Sequence, residues 1–474
     1  MAHSELDIWH LDQTINDRGF PVDVPLAEAI EREAQRTSKR LKQKMFDLTD
    51  GEVTSGRQVA KLQKILQDKH GYRIKNLQKA TVESALADER TPPVVREILL
   101  TRQSLSLSSV DKVRALLNSQ MNGRVYGGMF YYGAHTGRWT ARLFQTQNLK
   151  RPPSDFKGDA IDQAVDAFMT DSADLFYDDP LTVASWLIRS LIKCESPNHL
   201  LMCDYANIEG RALAWLAGED WVVTAFREYD EGKGDDLYKL TYARAFGIPV
   251  AHVTDDQRQI GKVMTLALGY NGGAGAFQRM AVNFGIDIDD DLAKRLVKSW
   301  RESNPKIKAL WKTVEKACIS AVKNKRTQII CDGKLTIGYK NNYLLIRLPS
   351  GRLLSYANPE VYPTVFEWNG DLINTEALRY QGVAGPARQW LWVDTYGGSL
   401  VENIVQALCR DLLAYALLAC ERDNLNPVFH VHDEIVCETT RHLEELEACM
   451  LAKPGWADEL PIAVEGSTGI RFKK

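Results

Sequence analysis

Residues 428–437, Val428-Phe-His-Val-His432-Asp433-Glu434-Ile-Val-Cys437, read as two short apolar β-type runs closing on a tight polar centre. Runs of this kind predict a hairpin, and Asp is accepted in hairpin turns. Adjacent acids bounded by buried strands are nevertheless costly to desolvate unless a cation is at hand. The segment therefore predicts a cation site as well as a turn.

Two other segments have complementary chemistry. Leu200-Leu-Met-Cys-Asp204-Tyr205-Ala-Asn-Ile-Glu209-Gly-Arg211 is an apolar strand running into a helix, with a carboxylate at the junction. A strand end is a rigid mount for a metal ligand; the competing reading is a helix N-cap, where Asp satisfies orphan amides. In the segment from Thr254 to Gly273, Thr254 and Gln257 form a capping-box pattern, and glycines follow Tyr270. Arg258, Lys262, Leu266 and Tyr270 are spaced four apart and fall along one helical stripe. Two cations one turn apart suit a polyphosphate, although helical Arg and Lys are often simply solvated. Separated carboxylates that hold two divalent cations, with a cationic helix for a triphosphate, together describe nucleotidyl transfer. The chain has no G-x-x-x-x-G-K-[ST] loop and no H-E-x-x-H, so ATPase and zinc-protease readings lose their main support.

A chain of 474 residues has room for two to four packed units. With 45% hydrophobic and 26% charged residues it reads as an ordinary folded protein. Its formal net charge of -3 means that a nucleic-acid partner must be met by local clusters of cations. Such a cluster exists. Leu26, Ile30, Leu41 and Met45 alternate with Arg32, Arg36, Lys39, Arg40, Lys42 and Lys44, which predicts two helices with a basic face within 26–119. The eight cysteines are scattered singly with no C-x-x-C pair, which argues against a zinc site or a disulfide framework and for a reducing cytoplasm. No apolar run approaches the roughly 18 residues of a membrane span, so no membrane partner is expected. Residues 124–132 look strand-like, 154–180 look like an exposed acidic excursion, 211–326 look helical, and 326–394 hold short β-type runs before helices return.

With these segments in view, the chain resembles the family A DNA polymerases, the DNA polymerase I group, and its phage-type members most of all. Asp204-Tyr205 through Glu209 and Arg211 resembles motif A; Arg258, Lys262, Tyr270 and Gly272 lie along motif B; His432-Asp433-Glu434 matches the H-D-E of motif C. Thr136-Gly137-Arg138 with Gln147-Asn148-Leu149 resembles the primer-template segment, and Gln406 stands where a minor-groove glutamine is expected. The resemblance implies an α+β, mainly helical right hand, with an antiparallel-sheet palm, fingers and thumb. The expected division is a palm entry segment at 1–25, thumb at 26–119, palm at 120–215 with an insertion at 154–180, fingers at 216–394 with a β-rich elaboration at 326–394, and palm again at 395–474.

It further implies a monomeric DNA-templated DNA polymerase of the bacterial or phage-infected cytoplasm, acting on primer-template DNA and dNTPs. Asp204, Asp433 and the Tyr205 carbonyl would hold two Mg²⁺ ions, with Mn²⁺ a possible substitute, and Glu434 would support them. Arg258 and Lys262 would clamp the triphosphate, Lys262 also protonating pyrophosphate. Glu209 would exclude a ribose 2′-hydroxyl, and Tyr270 would guard the template slot. Arg138, Gln147, Asn148, Arg211, Gln406 and His432 would meet primer and template. Leu266 replaces the usual aromatic and Tyr238 the usual phosphate-contacting His, so those two contacts depart from the family pattern. No 3′→5′ proofreading is expected, since the residues left over build no such domain. The alternatives are a single-subunit RNA polymerase, an RNA-copying variant, or a catalytically silent DNA-binding relative.

Overall fold

The computed structural model describes residues 5–106, 111–368, 371–385 and 387–472. Helix α1 (Glu5–Arg18) buries Ile8, Leu11 and Ile15 on one side, the spacing of a single helical face. Strand β1 (Phe20–Pro21) leads into α2 (Val24–Leu48), which opens on Pro25 and on Asp23, whose carboxylate accepts the Leu26 N–H. Asp23 also takes a buried ion pair from Arg471 at 2.7 Å, joining the start of the fold to its end.

Two helices with a basic face were expected across 26–119, and the described residues there form five: α2, α3 (Val59–His70), α4 (Lys79–Ala87), α5 (Pro93–Leu105) and α6 (Asp111–Ser119). The extra breaks have local causes. Gly71 adopts φ +64 after α3, and Pro93 starts α5 at a position where its missing N–H costs nothing. Met45, Leu62, Leu66, Val95, Ile98 and Leu99 form a core separate from the main one, which takes the other end of α2 through Leu26 and Ile30.

The strand-like stretch after α6 gives only the two-residue strands β2 (Gln120–Met121), β3 (Arg124–Val125), β4 (Met129–Phe130) and β5 (Thr140–Ala141). Gly127, at φ +63, prevents a continuous strand.

The region 154–180 is not an exposed excursion. It folds into α7 (Asp159–Met169) and α8 (Ala173–Phe176), followed by α9 (Pro180–Leu187), and it buries Phe156, Ile161, Ala164, Val165 and Phe168 in the main core against α2. Its acidic composition concealed an amphipathic helix whose charges are all on the outer face. One of the region's acids, Asp171, lies 3.7 Å from Arg32 and 3.1 Å from Arg36, so part of the basic face of α2 is neutralised from within.

Strand β6 (His199–Tyr205) is almost wholly buried and precedes the helical body α10 (Ile208–Ala217), α11 (Asp220–Asp230), α12 (Leu237–Phe246), α13 (Asp255–Leu268), α14 (Ala274–Asn283), α15 (Asp290–Ser303) and α16 (Pro305–Asn324). A six-stranded antiparallel sheet follows: β7 (Gln328–Ile330), β8 (Leu335–Lys340), β9 (Tyr343–Arg347), β10 (Leu353–Trp368), β11 (Asp371–Ala384) and β12 (Gln389–Thr395), each paired with its neighbour in sequence. The 26-residue helix α17 (Gly397–Arg422) is long and apolar enough to cross a membrane by composition, but it is a core helix, with Leu400, Ile404, Leu408 and Leu412 fully covered. The chain closes with β13 (Pro427–Val431), β14 (Glu434–Thr439), α18 (Leu443–Leu451) and β15 (Val464–Gly469). Strands β13, β14, β6 and β15 make one antiparallel sheet in that order, so the hairpin expected at 428–437 forms beside the strand expected at 200–204.

Candidate active site

Asp204 lies near the end of β6, directly across from Glu434 on β14 and from Glu465 on β15. Asp433 sits in the turn between β13 and β14, where His432 takes a left-handed φ of +55. The Asp433 carbonyl accepts the Tyr205 N–H at 3.1 Å, a bond that ties the hairpin turn to the strand end and brings together acids far apart in sequence. The N-cap alternative for Asp204 falls away, because Asn207 occupies that position at the start of α10.

Burial, and then the neighbouring charge of Asp204, push the Asp433 carboxyl up to about 6. A buried carboxyl raised beside a second acid is a donor pair whose repulsion a divalent cation can relieve. Among the described residues no set of three or more His, Cys, Asp or Glu side chains converges on one point. Tyr205 contributes backbone only. Its ring is buried, and burial pushes its hydroxyl far above the usual range.

Beside the acids, Arg138 donates to Glu209 at 2.6 Å, and the Tyr270 hydroxyl donates to the other Glu209 oxygen at 3.1 Å. Glu209 is therefore held between two partners at the first turn of α10. Arg138 also feels the charge of Asp433. Gln147, Arg138 and His432 line one small cleft floored by Trp139 and His430. The Gln147 amide donates to the Trp139 carbonyl at 3.2 Å, whereas Asn148 faces outward and bonds Gln145. Gln406, on α17, donates to Glu402 at 3.1 Å. Desolvation, followed by the Arg138 charge, lowers the His432 pKa and keeps its ring neutral at pH 7.

In α13, Thr254 and Gln257 complete the expected capping box. Arg258 donates to Asp236 at 2.8 Å and lies 5.3 Å from the Tyr238 ring centre; Lys262 lies 5.3 Å from the Phe284 ring. Leu266 is exposed, leaving an apolar surface where an aromatic was the family pattern. The stripe is shorter than expected. Helix α13 ends at Leu268, and Tyr270 lies beyond it, where the Trp311 indole N–H takes the Gly269 carbonyl at 2.8 Å.

Arg211, expected to meet primer or template, is held inside the protein. Arg211 is 2% exposed, forms a two-pronged pair with Asp230 at 2.6 and 2.7 Å, and donates to the Ala206 carbonyl at 2.7 Å. It braces the turn behind Asp204, with its guanidinium taken up by protein partners. Its place in motif A concealed this, since Arg at a helix start reads equally well as a surface cation. Two acids were missed: Asp236, whose signal was its position as N-cap of α12, and Glu465, on an edge strand with no motif around it.

Residues 25–330 match the model of DNA polymerase family A. A DNA polymerase of Bacillus phage SP02 is 36% identical over 485 aligned residues, spanning 99% of this chain and 71% of that protein. The thermostable DNA polymerase I of Thermus filiformis is 27% identical over 300 residues, 62% of this chain and 31% of its own length. Among solved structures, the POL domain of Pol1 from M. smegmatis, in complex with DNA primer-template and dNTP, superposes with a TM-score of 0.64 over 99% of this chain and 70% of that one, at 16% identity, a likeness of fold. The hairpin bearing Asp433 lies outside the stretch matched by the family model but inside the span shared with the phage protein. A strand-end acid, a helix with paired cations and a family match over most of the chain converge on one conclusion: this chain is a family A DNA polymerase.

Proposed function

We propose that this chain extends a primer 3′-hydroxyl with dNTPs on a DNA template and releases pyrophosphate, with Asp204 and Asp433 as the metal-holding acids. The observation that carries this reading is the Tyr205–Asp433 backbone bond, which sets the two acid-bearing elements side by side, with Asp433 raised to about 6 by burial and then by the charge of Asp204. The residues fit a pair of divalent cations, Mg²⁺ or its substitute Mn²⁺, which when bound neutralise charge on attacking and leaving oxygens. Asp204, Asp433 and the Tyr205 carbonyl would hold them, and Glu434 supports the pair from the adjoining strand.

Arg258 and Lys262 receive the triphosphate, and Lys262 supplies a proton to departing pyrophosphate. Arg258 would exchange Asp236 for phosphate oxygens, a stronger charge partner. Glu209, fixed by Arg138 and Tyr270, presents a rigid carboxylate that leaves no room for a 2′-hydroxyl. Arg138, Gln147, Gln406 and His432 face the primer terminus and minor groove, where pairs are read by shape. We assign the palm to 1–25, 120–215 and 395–474, the fingers to 216–394, and the thumb to 26–119, supported by the separate core around Met45 and Leu99. Polymerisation is the activity assigned to these residues; no 3′→5′ exonuclease site is assigned to them. Relatives from a phage and from bacteria support action in the cytoplasm.

Primer extension with Mg²⁺, then with chelator, tests the reading. Extension is expected with dNTPs, not rNTPs, and Asp204→Ala or Asp433→Ala should abolish it while DNA still binds. Full activity in either variant sinks the metal assignment, and a preference for rNTPs sinks the substrate.

A further inference from the structure

The six-stranded sheet between α16 and α17 has no role in the chemistry described so far, yet its base is built into the active site. The turn from β9 to β10 ends at Arg352, whose guanidinium is 7% exposed. All three of its nitrogens are used. Nε donates to Asp411 at 2.7 Å, Nη2 to the Ala407 carbonyl at 2.9 Å, and Nη1 to the Thr136 carbonyl at 2.9 Å and the Tyr132 hydroxyl at 3.1 Å. Thr136 belongs to a tight turn that closes on itself through Gly137 N–H to Ala134 and Ala134 N–H to Arg138. Arg410 of α17 donates to the Gly137 carbonyl at 3.0 Å from the other side, and the His135 ring packs on Tyr356 and Tyr380 of the sheet. Gly137 stands at φ +88, and a Cβ there would come within 2.5 Å of the Arg352 Nη1. The turn that delivers Arg138 is thus gripped at successive carbonyls by planar guanidinium groups from elements more than two hundred residues away.

We infer that Arg352 is a positioning residue for the primer terminus: by fixing the Thr136–Gly137 backbone it sets where Arg138 points, and the inserted sheet serves as the rigid mount of Arg352. The inference rests on the reading of Arg138 as a primer contact. A planar fork suits this task because it engages four acceptors in fixed directions; a lysine can hold Asp411 but not the fan. Displacing a positioning group by about an ångström costs up to about a hundredfold in rate, so a loss of about tenfold or more is expected from removing the grip.

Steady-state single-nucleotide incorporation by the wild type, R138A, R352A, R352K, G137A and the double variant R138A/R352A tests it. R138A and R352A should each lower kcat by about tenfold or more while KM for dNTP stays unchanged, and the double variant should be within about twofold of R138A alone. R352K, which retains the buried charge beside Asp411 and so the fold, should stay impaired, and G137A should reproduce the defect from the opposite side. Recovery of wild-type kcat in R352K, or losses that multiply in the double variant, would overturn the positioning role. Wild-type kcat in R138A would instead remove the primer reading itself, and the inference with it.

Discussion

Asp433 illustrates how one side chain carries opposing demands. Its carboxyl is raised to about 6 by burial and by Asp204, above the roughly 3.9 of an unfolded chain. A raised carboxyl favours the folded state below the unfolded pKa, and that advantage disappears as pH climbs through about 6. In metal-free buffer, Asp433→Asn should therefore match the wild type near pH 4 and exceed it near pH 7.5. The gap should be about 1 to 2 kcal/mol once solvent access to the cleft is allowed for. Chemical denaturation at the two pH values measures it, and a variant less stable than wild type at pH 7.5 contradicts the repulsion. Arg211 is the converse case: its charge is satisfied inside the protein by Asp230.

At the scale of elements, the pairing of α12 with α13 decides where Arg258 and Lys262 lie. Gly261 faces the Tyr238 carbonyl so closely that any Cβ would run into it. Gly261→Ala should push α13 outward, lowering stability by about 1 to 3 kcal/mol and moving Arg258 away from Tyr238 and Asp236. A rise in KM for dNTP with unchanged primer-template affinity is the expected kinetic result, and an unchanged KM would show that the helices adapt. The capping box, the hairpin and the strand end were all legible locally, because each depends on residues within a few positions of one another. Helix α7 was not, since its acids mask an apolar face that only α2 completes.

For the whole molecule, net charge is a poor guide, because cations are partly consumed inside. Arg36 and Lys44 on α2 pair with Glu33 and Glu97, whereas Lys39 and Lys42 are exposed and line a groove of about 770 Å³ that also includes Arg57. If this groove follows a phosphate backbone, Lys39→Ala with Lys42→Ala should reduce the slope of log K for duplex DNA against log salt by about 2, at about 0.9 per phosphate contact. Affinity measured across a salt series checks this, and an unaltered slope moves the duplex elsewhere. The separate core around Met45, Leu66 and Leu99 gives this arm packing of its own.

By itself the sequence determined the local chemistry: a carboxylate at the end of a buried strand, a second in a hairpin turn, cations one turn apart on a capped helix, and motif order enough to indicate the family. These follow from hydrophobic period, turn propensity and capping, which act over short range. Only the tertiary structure decided which charges are shared. It joined Asp433 to Tyr205, gave Arg211 to Asp230, set Asp171 against Arg32 and Arg36, and brought Arg352 to the turn before Arg138. A charged side chain reads the same in sequence whether it meets solvent, a ligand or a distant partner, and burial across long separations is what selects among them.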